Sequence, residues 1–116
     1  MALTKESQKN WLEQHVEEVL DPGREIIDPH HHMWKTSGLP IYLLEDLWDD
    51  TESGHNIVKT VFMECGAEYR VDGPEHLKVV GETEFVRDAA IASRGHGKAE
   101  ISGIVGHADL TLDVGL

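Results

Sequence analysis

The chain has 116 residues, of which 40% are hydrophobic and 28% charged, a composition that suits one folded soluble domain rather than a disordered segment. Its net charge of −12 argues against nucleic acid or an anionic membrane surface as a partner, because phosphate binding needs a basic face. No apolar run approaches the roughly 18 residues that span a bilayer. The start MALTKESQKN lacks the cationic-then-apolar pattern of a signal peptide, and the one cysteine, Cys65, has no partner for an internal disulfide, so a cytoplasmic location is expected.

In chain order, residues 6–20 read as an amphipathic helix. Trp11, Leu12, His15, Val16, Val19 and Leu20 form one stripe of a 3.6-residue period, and Asp21-Pro22-Gly23 ends it. Residues 25–32, EIIDPHHH, read as a strand running into a loop, with Pro29 near its end. Apolar positions Ile41, Leu43, Leu44, Leu47 and Trp48 suggest a short helix within 39–50. The clearest strand is 57–63, IVKTVFM, rich in β-branched and aromatic residues. Residues 70–81 read as loop with one helical turn. Residues 82–94 read as a helix with Phe85, Val86, Ala89, Ala90 and Ala92 on its apolar side, and 101–106 as a third short strand.

Alternation of helix and strand implies parallel strands joined by helical crossovers. The third strand is followed by no further helical pattern, which would leave one sheet face and edge open. The chain therefore reads as interrupted.

Eight histidines is a high number for this length, and His30, His31 and His32 are consecutive. On an extended strand, alternate side chains share a face, so His30 and His32 point one way and His31 the other. Two imidazoles so placed can contact one ion such as Zn²⁺ at about 2.0–2.1 Å per bond. Asp28 is expected on the same face, where a carboxylate can orient an imidazole. The competing reading is a His-rich polar turn. Position favours the metal reading, since parallel α/β folds place their sites at the C-terminal ends of strands.

The segment Ile27-Asp28-Pro29-His30-His31-His32-Met33-Trp34 resembles the first-strand motif of the amidohydrolase superfamily. More narrowly, the chain is similar to the amidohydrolase-related (amidohydrolase 2) group of metal-dependent hydrolases with a TIM-barrel fold. Further segments fit in order: 42–47, 53–56, 60–67, 80–82 and 104–110, so the resemblance covers roughly residues 24–112. It implies an α/β fold, the first three or so βα units of a (β/α)8 barrel, with His30 and His32 as metal ligands. It implies a divalent ion, Zn first and Mn or Fe next, and hydrolysis of C–O or C–N bonds, or a related lyase or decarboxylase step, on a carboxylated small molecule. The remaining ligands and the aspartate that moves the proton come in that group from later strands, and a complete barrel takes roughly 250 residues. The catalytic residue is thus expected outside this chain, and the chain alone is expected to be inactive.

Glu64 and His107, after the second and third strands, and Trp34, after the first, are candidate substrate-binding residues. Each also has a structural reading: an ion pair, a loop hydrogen bond between His107 and Asp109, or aromatic packing. His55 reads as turn chemistry beside Gly54, and Cys65 as a small packed residue rather than a nucleophile. No GxGxxG or GxxxxGK pattern occurs. The expected organisation is an N-terminal helix over 1–23 and a partial amidohydrolase-type domain over 24–116. The alternative is a non-catalytic chain with at most weak metal binding that self-associates as a homo-oligomer through its open sheet edge.

Overall fold

The three apolar runs pair into one parallel sheet, β1 (Glu25–His31), β2 (Asn56–Met63) and β3 (Glu100–Val105), in that spatial order. The computed structural model describes residues 4–113. Ahead of the sheet lies α1 (Lys5–Leu12), while α2 (Leu44–Thr51) joins β1 to β2 and α3 (Val80–Ser93), after a 3-10 turn at Glu75–Leu77, joins β2 to β3. The result is an α/β arrangement with an open three-stranded sheet, as the alternation predicts.

Helices and sheet bury a core of Met33, Leu47, Phe62, Val86, Ala90 and Ile101 between them. Phe62 and Val86 are wholly enclosed, each contributing about 1.5–3 kcal/mol by leaving water. Polar links tie the layers together. Ser93 Oγ donates to the Ala90 carbonyl at 2.7 Å and accepts from Ile101 N–H at 3.1 Å, coupling the end of α3 to the start of β3. Trp48 Nε1 donates to the Ala99 carbonyl at 2.9 Å, coupling α2 to the same strand. At Gly81 the first turn of α3 crosses the loop before it so closely that an added Cβ would sit 2.6 Å from the Glu68 carbonyl oxygen and press on Arg70 N as well.

Three expectations change. The helix predicted over 6–20 stops at Leu12, and Trp11, Leu12, Val16 and Leu20 are 66–90% exposed. An eight-residue helix is marginal without packing, and among the described residues none of α1 is buried. Second, the short helix expected within 39–50 is narrowed to α2, Leu44–Thr51. The preceding residues fold back so that Trp34 and Tyr42 exchange backbone hydrogen bonds of 3.1 and 3.0 Å. The helix begins where the Asp46 carboxylate accepts the Leu43 N–H at 2.9 Å. Third, Ala92 of α3 is exposed, because the buried stripe runs Val86, Ala90, Ser93.

Candidate metal site at the strand ends

The end of β1 is irregular. Asp28 lies beside Thr60 and His31 beside Phe62, so Pro29 and His30 together oppose only Val61. Pro29 has no N–H for the ladder, and a bulge is where a sheet tolerates that. The extra residue shifts the alternation by one. Asp28 therefore falls on the helix-facing side with His31, Thr60 and Phe62, and not on the face of His30 and His32 as the simple alternation predicts. Its carboxylate accepts the backbone N–H of His30 at 3.1 Å, which holds the bulge instead of an imidazole.

His31 is buried, with its Nε2 3.0 Å from Thr60 Oγ1 and its ring edge-on to Phe62. Nδ1 is buried without a hydrogen-bond partner. A proton on Nε2, donated to Thr60, leaves Nδ1 as a lone pair, which costs less to bury than an unmet donor. Burial holds the His31 imidazole below its ordinary pKa, against smaller opposing effects from the His32 backbone and Asp28.

His30 and His32 stand on the other face, rings edge to face, with their Nε2 atoms 3.2 Å apart. His32 Nδ1 donates to the Met63 carbonyl at 2.8 Å, the only role open to that nitrogen since a carbonyl can only accept. In neutral His32 the Nε2 is then a lone pair, and His30 Nε2 carries the proton between them. Moving that proton to His30 Nδ1 frees two lone pairs. With bonds of about 2.0–2.1 Å, donors at this separation subtend roughly 100° at a shared ion, near tetrahedral. The two residues fit one divalent ion, and the backbone bond to His32 is the kind of outer contact that fixes a ligand's tautomer. Among the described residues, no group of three or more His, Cys, Asp or Glu side chains gathers as a metal cage.

Glu64 and His107 meet at the same end of the sheet, with His107 Nδ1 3.1 Å from Glu64 Oε2. The expected contact of His107 with Asp109 is replaced by this pair. Asp109 takes the Thr111 hydroxyl and, at 2.9 Å, its N–H, which hold its carboxyl below the usual range. Trp34 stacks on His32 with centroids 5.9 Å apart and donates from Nε1 to the Pro40 carbonyl at 2.7 Å. With His31, His32, Tyr42 and Asp50 it lines a cleft of about 200 Å³. In that cleft the Tyr42 hydroxyl donates to Asp50 at 2.5 Å, and burial, then this bond, drive its pKa far above the ordinary value. His55 lies exposed in the turn after Gly54, whose φ of 121° suits glycine. Cys65 is exposed rather than packed away. Its sulfur nevertheless lies 3.7 Å from the Met33 carbonyl, and local burial and the Glu82 carboxylate push its pKa up, away from thiolate reactivity.

Two contributors escape the sequence. One is the Met63 carbonyl, invisible because any residue supplies one. The other is Glu82, buried at 2% exposure, whose Oε2 accepts the N–H groups of Cys65 at 3.1 Å and Ala67 at 2.6 Å. It pins the segment that follows Met63. A carboxylate in the first turn of a helix ordinarily reads as a solvent-facing charge.

No protein-family model, no curated protein and no solved structure matches the chain. Among the described residues, no helix is long and apolar enough to cross a membrane.

Proposed function

We propose that this chain carries the first part of the metal site of an amidohydrolase-type hydrolase, with His30 and His32 as ligands and the three βα units as the opening of a (β/α)8 barrel. The observation that carries the reading is the His30–His32 pair, at 3.2 Å, with His32 oriented by the Met63 carbonyl. A divalent ion, Zn first and Mn or Fe next, would supply Lewis acidity for polarising a carbonyl or phosphoryl oxygen. Around it, His30 and His32 bind, the Met63 carbonyl holds the His32 tautomer, and the Trp34 ring shields one face of His32 from water. Glu64 and His107 are the residues this reading assigns to contact with a carboxylated small molecule, the Glu64 carboxylate holding His107 Nδ1 at 3.1 Å. A catalytic zinc site usually has three protein ligands, so the reading requires further ligands from outside residues 4–113. A cytoplasmic setting with reduced Cys65 belongs to the same reading.

Titration with Zn²⁺ and Co²⁺ tests it. Tight binding that His30→Ala and His32→Ala each abolish supports the pair as a ligand set. Binding that is micromolar or weaker and indifferent to both changes removes the reading. The second reading is a non-catalytic chain with at most weak metal binding that self-associates; the exposure of Leu12, Val16 and Leu20 at 66–90% favours it.

A further inference from the structure

One side of α3, from Arg87 to Arg94, and residues 101–104 of β3 enclose a groove of about 400 Å³. Its floor is apolar, from Ala90, Ile91, Ile101 and Ile104, and Arg87 and Arg94 stand on its rim. Ile91 is 56% exposed there. Among the described residues β3 pairs with β2 alone, so its outer backbone groups have no strand partner. Among the described residues Arg87 bonds to its neighbour Asp88 and lies near Glu84, and the Arg94 guanidinium has no ion-pair partner.

The chain also holds the complement of this groove. Segment 11–20, WLEQHVEEVL, has an apolar stripe of Trp11, Leu12, Val16 and Leu20 interleaved with Glu13, Glu17 and Glu18. Those four apolar residues are 66–90% exposed, and the helix that their spacing encodes is realised only as far as Leu12. An amphipathic helix offers anchors at i, i+4 and i+8 to an apolar groove, and acidic flanks suit an arginine rim.

We infer that this groove binds segment 11–20 of a second copy of the chain, which completes its helix on docking. In its own copy the segment is held elsewhere, on both sides, against α2 and the start of β2. Lys5 Nζ donates to the Ile41 carbonyl at 2.9 Å and pairs with Asp46, just before and within α2. Val19 packs at Gly54, and Asn56 Nδ2 donates to the Gly23 carbonyl at 3.3 Å, both at the start of β2. The contact is heterologous, groove to segment, so repeated use gives a ring or an open chain rather than a two-fold dimer. It rests on the second, self-associating reading, because in a (β/α)8 barrel the βα unit after β3 would fill this groove.

Sedimentation velocity of the full chain over a range of concentrations tests the inference, with circular dichroism confirming that each variant folds. Self-association that weakens as salt rises is expected. Arg94→Glu and Val16→Asp, both at exposed positions, are each expected to weaken it at least about tenfold. Mixed together, the two variants are expected to restore a one-to-one complex, because one keeps an intact segment and the other an intact groove. A chain that stays monomeric at every concentration, or an oligomer that both substitutions leave unchanged, overturns the inference.

Discussion

The Nδ1 of His32 donates to the carbonyl oxygen of Met63 at 2.8 Å, so a backbone atom of β2 decides which nitrogen of the residue just past β1 keeps its lone pair. On the proposed reading, His30 and His32 act as one ligand pair, their Nε2 atoms 3.2 Å apart. His30→Ala and His32→Ala are each expected to lower Zn²⁺ affinity at least about tenfold, measured by calorimetric titration. His30→Ala leaves stability within about 0.5 kcal/mol, and His32→Ala costs about 0.5–1.5 kcal/mol because it removes the bond to the Met63 carbonyl. Equal affinity in the wild type and both variants would sink the paired-ligand account.

Glu82 is expected to matter for the same site from a distance. One buried oxygen accepts two backbone N–H groups of the segment that follows Met63. Replacing Glu82 by Ala strands both donors and is expected to cost about 2–4 kcal/mol in urea unfolding. Glu82→Gln keeps an acceptor and is expected to cost less. If Glu82→Gln folds but binds Zn²⁺ more weakly, the loop is what places the Met63 carbonyl; unchanged affinity confines Glu82 to stability.

A pH effect follows from His31. Its folded-state pKa lies below the ordinary 6.5 because of burial. The unfolded chain therefore takes up the proton first as pH falls, and stability from this residue is present above about 6.5 and declines below it. Urea midpoints measured between pH 7.5 and 5 are expected to fall more steeply for the wild type than for His31→Gln, which cannot titrate. Parallel slopes for the two proteins contradict this.

Gly81 tests packing with no change in charge. A methyl group there meets the Glu68 carbonyl at 2.6 Å, so Gly81→Ala is expected to cost about 1–3 kcal/mol and several degrees of Tm. At Gly23 nothing lies within 4 Å of an added Cβ, and Gly23→Ala is expected to be neutral within about 0.5 kcal/mol. Calorimetric melting of the two variants side by side gives the comparison.

The sheet was readable because its signals are local. IVKTVFM could not be mistaken for a helix, and the run Phe85–Ala90 kept a 3.6-residue period, so the parallel α/β order followed. The N-terminal helix over-reached because periodicity reports what a segment could bury, not whether a surface exists to bury it. Asp28 was misplaced for a different reason. Alternation assumes an unbroken pleat, and the bulge at Pro29-His30 breaks it by one residue. The metal reading of His30 and His32 rested on their i, i+2 spacing, and although His30 belongs to the bulge the two rings still meet, with their Nε2 atoms 3.2 Å apart.

From the sequence alone came the element types and order, the parallel sheet they imply, and the pair of histidines that share a face, since all of these depend on spacing along the chain. Tertiary structure alone decided the partners. Met63, rather than Asp28, orients His32; Glu64, rather than Asp109, receives His107; and Glu82 is buried under the loop it holds. Each of those choices joins residues from different strands or helices, and the distance between them is set by strand register and crossover packing, which no local pattern encodes.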